Sequence, residues 1–235
     1  MFPSAPSSPA VDSSSCWSEP RRSRPGSDCG PDPSSESVVR IGLTGGIGSG
    51  KSTVAAALVD LGDALLVDTD AISRTLTLPG GGAMPAIATR FGPGFVAPDG
   101  ALDRAAMREL AFRDPRAKRE LEAILHPLIG AETARQAALA APGQRVVFDV
   151  PLLVESGRWR QQVDRVLVVD CREETQVARV IARSRLDEAT VRAILAQQAT
   201  RTQRRAAADA VIHNDGLSLE QLREEVGHLL NTPHF

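Results

Sequence analysis

Short apolar runs alternate with amphipathic segments from residue 38 to the end of the chain. Five of these runs are too short for helices and mostly rich in β-branched residues, which predicts strands at residues 38–43, 64–67, 145–150, 165–170 and 210–213. The longer segments between them repeat their apolar positions every three to four residues, as helices do. Strands in alternation with helices predict an α/β fold of three layers, in which helices cover both faces of a parallel sheet. Ligands of such sheets bind at the carboxyl ends of the strands.

The helical segments carry recognisable ends. The spacing predicts helices over residues 51–61, 83–91, 104–113, 116–125, 127–141, 173–184, 188–199 and 219–230. Asp103 and Asp187 precede two of them as N-caps, and Ser218 with Gln221 forms a capping-box pattern before the last. Pro127 suits the first turn of a helix, so we expect one helix to end before it and another to begin there.

The first 37 residues differ in composition from the rest. They are dominated by serine and proline and contain almost no periodic apolar positions, so they cannot bury enough surface to offset the entropy of ordering. We therefore expect a disordered extension over residues 1–37 and a folded domain over residues 38–235. The extension lacks the apolar region of a secretory signal, and its acidic residues argue against a targeting peptide. A misassigned start codon is an alternative origin for it.

Charge and cysteine content narrow the class of protein. With 27 Lys and Arg against 29 Asp and Glu the net charge is −2, which favours neither nucleic acid nor a membrane surface as a general partner. No apolar run approaches membrane-spanning length. The three cysteines form no CxxC pair, as is typical of a reducing compartment. We expect a cytoplasmic protein that is either a monomer or a small homo-oligomer.

Residues 45–52 match G-x-x-x-x-G-K-[ST], the phosphate-binding pattern called the P-loop. They stand between a predicted strand and a predicted helix, an order that a glycine-rich surface turn would not need. Lys51 is one of two lysines in the chain, the other being Lys118, and arginine supplies the remaining basic residues. A compact ammonium fits between phosphate oxygens where a forked guanidinium does not. The pattern predicts a nucleoside triphosphate site and phosphoryl transfer.

The predicted phosphate contacts come from the loop and the first turn of the helix. Backbone N–H groups of residues 46–51 can converge on phosphate oxygens, and the helix dipole favours anions there. Ser52 is the predicted hydroxyl ligand of the Mg²⁺ that accompanies ATP, and Thr53 is expected to contact another phosphate. The predicted ATP-binding set is Gly46, Ile47, Gly48, Ser49, Gly50, Lys51, Ser52 and Thr53.

Acidic residues follow two of the predicted strands. Asp68 and Asp70 come after the second strand, which we expect beside the first, and the two-residue period of a strand would place both on one face. A carboxylate there can orient an acceptor hydroxyl and take its proton, and Asp70 is the preferred candidate. A strand-end or helix-capping role is the alternative for either acid, and Asp70 also suits the N-cap of the following helix. Asp149 ends another strand and is the predicted second contact to Mg²⁺, with a hydrogen-bonding role as the alternative.

Arginines cluster after the fourth predicted strand. Arg179 and Arg183 lie four residues apart on one predicted helix, and Arg201, Arg204 and Arg205 follow. Such a cluster resembles a lid that closes over a triphosphate, although arginines on helices often form only a solvated face.

Two isolated polar residues are weaker candidates. His126 stands immediately before a proline and is either a substrate contact or a structural histidine. Asn214 follows the last predicted strand, where a P-loop kinase holds adenine, but Asn-Asp-Gly is also turn chemistry.

Together these segments resemble the dephospho-coenzyme A kinase family, whose members perform the last step of coenzyme A synthesis. The likeness covers about residues 38–230. Beyond the P-loop it rests chiefly on Val-Asp-Thr-Asp at 67–70, His-Pro-Leu-Ile at 126–129, Val-Pro-Leu-Leu-Val-Glu at 150–155 and Asn-Asp-Gly at 214–216. The segments His-Pro-Leu-Ile and Pro-Leu-Leu-x-Glu are far more specific to this family than the P-loop, which many kinases share.

The resemblance implies an adenylate-kinase-like fold with a coenzyme-A-binding helical region near residues 79–141 and a short lid near residues 179–205. It implies transfer of the ATP γ-phosphate, with Mg²⁺, to the ribose 3′-hydroxyl of dephospho-CoA. Asp70 matches the proposed general base, Lys51 the phosphate lysine and Arg179 the lid arginine. The substrate contacts that it suggests are Asp70, Arg74, Arg104, His126, Pro151 and Leu152.

Three other hypotheses stay open at this point. A P-loop kinase for a nucleoside monophosphate or a sugar acid would share the loop but not the acceptor-side segments. A nucleotide-dependent switch protein would favour a water-positioning residue and long partner-binding insertions, which we do not identify. A catalytically inactive binder is disfavoured because Lys51, Ser52 and Asp70 are all present.

Overall fold

A computed structural model describes residues 38–184, 186–232 and 235. Its strands are β1 (Arg40–Gly45), β2 (Leu65–Asp68), β3 (Val146–Asp149), β4 (Arg165–Asp170) and β5 (Ala210–His213). Its helices are α1 (Lys51–Gly62), α2 (Thr69–Leu76), α3 (Met84–Phe91), α4 (Arg104–Arg113), α5 (Pro115–Ala137), α6 (Leu153–Ser156), α7 (Glu173–Ser184), α8 (Glu188–Ala196), α9 (Arg201–Ala207) and α10 (Leu219–Leu230). The prediction of disorder for residues 1–37 lies outside the described residues.

The five strands form one sheet in the order β2-β3-β1-β4-β5, and every neighbouring pair is parallel. The predicted parallel sheet is confirmed, but the expectation that β2 lies beside β1 is wrong, because β3 stands between them. Asp149 at the end of β3 is in register with Leu43 of β1 on one side and with Asp68 of β2 on the other. The crossover therefore places Asp149 between the P-loop strand and the strand that leads to Asp70.

Alternate residues of the strands enter two separate apolar layers. One layer combines Ile41, Leu43, Val147, Leu167 and Val169 with residues of α1 and α10. The other combines Val146, Phe148, Val166 and Val168 with Ile72 of α2 and Leu153 of α6. Burying each of these side chains contributes about 1.5–3 kcal/mol to folding. Because both faces are buried, the sheet lies in the middle of three layers, as the apolar runs predicted.

The long helix α5 corrects the predicted break before Pro127. It continues from Pro115 to Ala137 with Pro127 inside it. Proline removes one helical hydrogen bond and normally kinks or ends a helix. Here apolar side chains are packed on both sides of the proline, with Ile124 and Leu125 against the α3–α4 cluster and Ile129 against the sheet. This burial holds one helix through a position that local preference would interrupt.

Other helix boundaries follow their caps. Helices α4, α7 and α10 occupy the predicted ranges, and Asp103, Asp187 and Ser218 accept the expected capping hydrogen bonds. Helix α8 ends at Ala196, short of the predicted 199, and the unpredicted α9 follows behind a capping box of Thr200 and Gln203. Within the part of the chain that the structure describes, no helix combines the length and apolar character needed to cross a membrane.

Candidate active site

The P-loop connects β1 to α1 and depends on glycine where the chain turns. Gly50 is the N-cap of α1 with φ +93° and ψ +16°, a left-handed conformation that side chains disfavour. A Cβ added to Gly50 would lie 2.2 Å from Nδ2 of Asn214. The N–H of Ser49 donates to the carbonyl of Gly46 at 3.0 Å, which closes the turn. The loop thus presents backbone and the start of a helix, rather than side chains, to an anion.

A cavity of about 530 Å³ opens above the loop. All eight residues predicted for ATP, 46–53, line it, and so do Asp70, Pro151, Arg179 and Asn214, which follow four different strands. The sequence analysis proposed no site role for several other lining residues, namely Gln198, Leu217, Ser218, Leu219 and Leu222, and it proposed Arg183 only as part of the arginine cluster. Position after β5 is the one sequence signal that could have suggested residues 217–222, since strand ends gather at one edge.

Lys51, which lines the cavity, forms an ion pair with Asp149, which is not among the described residues that line it. The Lys51 ammonium donates to Oδ1 of Asp149, and these side chains are 16% and 10% exposed. Burial raises the pKa of Asp149 above its ordinary value, more than Lys51 lowers it, and the negative charges of Asp68 and Asp70 add to the rise. The hydroxyl of Thr69 also donates to the Asp149 carbonyl at 2.9 Å. The carboxylate is therefore fixed in place but unfavourably desolvated.

Asp68 and Asp70 have different positions, which corrects the expectation that both share a strand face. The strand β2 ends at Asp68, and Asp70 already belongs to the first turn of α2. The Asp68 carboxylate caps α2 by accepting from the N–H of Ala71 at 2.8 Å, and Arg74 approaches it at 3.6 Å. Capping is thus the role of Asp68, whereas Asp70 lines the cavity.

Two side chains from beyond β4 hold the carbonyl of Ser49 from the cavity side. Nδ2 of Asn214 donates to it at 2.7 Å, and a guanidinium nitrogen of Arg179 donates to it at 3.4 Å. Asn214 is buried, and its own N–H donates to the Asp170 carbonyl at 2.7 Å. Arg183, one turn after Arg179, lines the same cavity. The loop is therefore contacted by the arginine and the asparagine singled out in the sequence.

Two other arginines of the predicted lid, Arg201 and Arg204, make internal contacts. Arg201 binds both oxygens of Asp170 at 2.9 and 2.7 Å. Burial alone would raise the pKa of Asp170, but Arg201 outweighs it and the pKa is lowered. Arg204 is buried and donates to the Ala199 carbonyl. These two arginines are not among the described residues that line the cavity, so the hypothesis that the whole cluster faces a triphosphate needs this correction.

The residues suggested as acceptor contacts are more dispersed. Pro151 lines the cavity, whereas Arg74, Arg104, His126 and Leu152 are not among the described residues that do. Arg104 donates to the hydroxyl of Thr77 at 2.7 Å.

His126 lies against an arginine. Both ring nitrogens lie 3.1 Å from guanidinium nitrogens of Arg158. Burial, and then the charge of Arg158, lowers the pKa of His126. The imidazole is therefore held neutral at neutral pH and offers Arg158 one acceptor nitrogen.

The chain is similar in sequence to known proteins. A family model described as dephospho-CoA kinase matches residues 39–220. The chain is 62% identical to the dephospho-CoA kinase of Bordetella pertussis over 179 residues, which cover 76% of this chain and 83% of that protein. It is 56% identical to the dephospho-CoA kinase of Albidiferax ferrireducens over 200 residues, which cover 84% and 93% respectively.

Solved structures share the fold of the chain. The crystal structure of TT1252 from Thermus thermophilus matches with a TM-score of 0.71 at 36% identity, over 82% of this chain and 96% of that one. The dephospho-CoA kinase from Campylobacter jejuni shares the fold with a TM-score of 0.62 at 24% identity, over 81% and 94%. Since the family model spans most of the chain and the curated relatives align over most of their length, the chain belongs to the dephospho-CoA kinase family.

Proposed function

We propose that this protein transfers the γ-phosphate of ATP to the ribose 3′-hydroxyl of dephospho-CoA and releases CoA and ADP. The observation that carries the proposal is the single cavity lined by the P-loop, Asp70 and Arg179. It joins a phosphate cradle, a carboxylate and a guanidinium, the groups that phosphoryl transfer to an alcohol requires. Family membership supports the choice of dephospho-CoA as the acceptor.

The roles follow from charge and position. Asp70 accepts the proton of the attacking hydroxyl, since it is the one acid among the described residues that line the cavity. Lys51 neutralises the phosphate oxygens as the leaving ADP develops charge, and Asp149 holds its ammonium in place beforehand. Arg179 contacts the loop at the Ser49 carbonyl, lines the cavity and stabilises the transferred group.

Ser52 and Asp149 are the residues that would hold Mg²⁺ in this proposal. Both offer hard oxygen donors, which Mg²⁺ prefers, and the carboxylate of Asp149 is desolvated and already bound to the Lys51 ammonium. Two protein oxygens suffice because Mg²⁺ in kinases takes its other ligands from phosphates and water. When bound, the ion would neutralise charge on the β- and γ-phosphates.

The acceptor would lie between the strand ends and the helices α3 to α5. In this proposal residues 79–141 form the coenzyme-A-binding region, and Arg74, Arg104, His126 and Leu152 contact parts of the acceptor remote from the reacting hydroxyl. Residues 179–205 form the lid, with Arg179 as its reactive arginine. Adenine of ATP would lie beside Asn214 and the residues that follow β5.

An ADP-release assay across several acceptors tests the assignment. Purified protein with Mg-ATP should turn over dephospho-CoA, and AMP, adenosine and a sugar acid should react at least a hundredfold more slowly. The two lysines provide a matched control: Lys51→Met should abolish turnover, while Lys118→Met, at an exposed pair with Glu122, should keep it. Turnover of AMP or the sugar acid without turnover of dephospho-CoA would replace this function with that of another P-loop kinase.

A further inference from the structure

Gln198, in the segment between α8 and α9, contacts the P-loop at Ile47. Its side-chain carbonyl accepts a hydrogen bond from the N–H of Ile47 at 3.0 Å, between positions 151 residues apart in the chain. Gln198 also lines the cavity above the loop. One amide of the P-loop is therefore already satisfied by a protein side chain and does not need a phosphate oxygen.

The backbone next to Gln198 is fixed from two directions. The N–H of Ala199 donates to a carboxylate oxygen of Glu155, within α6, at 2.6 Å, and Arg204 of α9 donates to the Ala199 carbonyl. Arg204 is only 4% exposed, so this contact is held within the interior. Glu155 and Arg204 thus set the position from which the Gln198 side chain extends.

The opposite side of the same loop is packed without free space. A Cβ added to Gly46 would lie 2.3 Å from Oε1 of Gln176 and 2.8 Å from a guanidinium nitrogen of Arg204. Gln176 is 1% exposed, and its Nε2 donates to the Cys171 carbonyl at 3.0 Å. Residues 46 and 47 of the P-loop are therefore held between the buried side chains of Gln176 and Arg204 and the side chain of Gln198.

We propose that Gln198 is a positioning residue for phosphate binding. By keeping the peptide of Ile47 in one orientation, it preorganises the neighbouring loop amides that face the phosphates, and it keeps this bond when nucleotide binds. Preorganisation of a binding loop increases affinity because less ordering remains to be done on binding. The inference rests on the proposed nucleotide site and adds to it a residue of the lid segment.

Calorimetric titration with ADP and with adenosine separates this role from general support of the fold. Gln198→Met keeps the length of the side chain but removes the acceptor, so the affinity for ADP should fall about 5- to 30-fold, as expected when a partly buried N–H loses its partner. The affinity for adenosine, which has no phosphate, should change less than twofold. The matched control is Gln197→Met, an exposed neighbour at the end of α8, which should bind both ligands like the wild type.

A second variant keeps the acceptor but adds charge. In Gln198→Glu a carboxylate can still accept from Ile47, so any loss of ADP affinity should come from repulsion and should shrink to within about twofold of wild type at 1 M KCl. The loss in Gln198→Met should persist at that salt concentration. If the methionine variant does not fold, the glutamate variant alone decides: a salt-resistant loss overturns the proposal.

The other possible results of the ADP and adenosine titrations each have one interpretation. Unchanged ADP affinity in Gln198→Met removes the positioning role, and a parallel loss of ADP and adenosine affinity makes the residue structural. Tighter ADP binding would mean that Gln198 competes with phosphate for the Ile47 N–H, which also overturns the proposal. Absence of ADP binding by the wild type would instead refute the proposed function itself.

Discussion

Replacement of Gly50 by alanine tests the geometry of the P-loop most directly. Gly50 has φ +93°, and an added methyl group would lie 2.2 Å from Nδ2 of Asn214, which donates to the Ser49 carbonyl at 2.7 Å. The left-handed conformation costs an L-residue about 1–2 kcal/mol. Displacing the buried Asn214 amide from its acceptor costs about 1–3 kcal/mol more. The total loss of unfolding free energy should be about 2–5 kcal/mol.

Gly157 provides the matched control. It ends α6 with φ +65° and ψ −19°, and an added Cβ meets no described atom within 4 Å. Gly157→Ala should therefore lose only the backbone contribution of about 1–2 kcal/mol. For a domain of this size each kcal/mol lowers Tm by about 2–4 °C. We expect Tm to fall by roughly 2–8 °C for Gly157→Ala, and by roughly 2–12 °C more than that for Gly50→Ala because of the displaced Asn214 amide.

Differential scanning calorimetry with and without ADP measures both the change in Tm and the stabilisation that ADP provides. Gly50→Ala should also lose most of the stabilisation by ADP, because Asn214 and the Ser49 peptide both border the cavity. Gly157→Ala should keep it. Equal changes in Tm for the two variants would refute the reasoning, since they would show that the methyl group at position 50 displaces nothing of consequence.

Three further substitutions test the acids. Asp70→Asn should lower kcat by about 10²–10⁴ while the Kd for ATP stays within about threefold, and unchanged turnover would exclude Asp70 as the base. For Asp149, burial raises the pKa above the ordinary 3.8. Its contribution to stability is therefore present below pH 3.8 and is lost as the pH rises through the folded-state pKa. Urea titrations across that pH range should show wild type losing stability relative to Asp149→Asn. For Asp215, hydrogen bonds from Thr175 and then Arg172 lower the pKa to about 2, so the advantage of wild type over Asp215→Asn should be present above pH 3.8 and shrink as pH falls towards 2. A pH-independent difference for either acid would contradict its contacts.

Local patterns predicted the elements that depend on local physics. The strand, loop and helix around residues 45–52 and the caps at Asp103 and Ser218 were predictable because each is decided by a few neighbouring residues. The place of β3 between β1 and β2 was not, because the pairing of parallel strands depends on crossovers that local sequence does not encode.

Some residues of the candidate site were likewise predictable from local sequence, and others were not. Residues near the loop in sequence could be identified from the motif, and strand ends suggested Asp70 and Asn214. The contact of Gln198 with Ile47 could not be foreseen, because it depends on how α8 ends and α9 begins. The continuity of α5 through Pro127 likewise comes from tertiary packing that outweighs a local preference.

The ion pair of Lys51 with Asp149 should make the two lysine side chains react at different rates with amine-directed reagents. An acylating reagent directed at amines would find two lysine side chains, one 64% exposed at Lys118 and one 16% exposed and bound to Asp149 at Lys51. Lys118 should be modified first, and slow labelling of Lys51 would report on occupancy of the P-loop. Because the chain has only these two lysines, cleavage at arginine places them on separate peptides, and mass spectrometry can follow the labelling of each one.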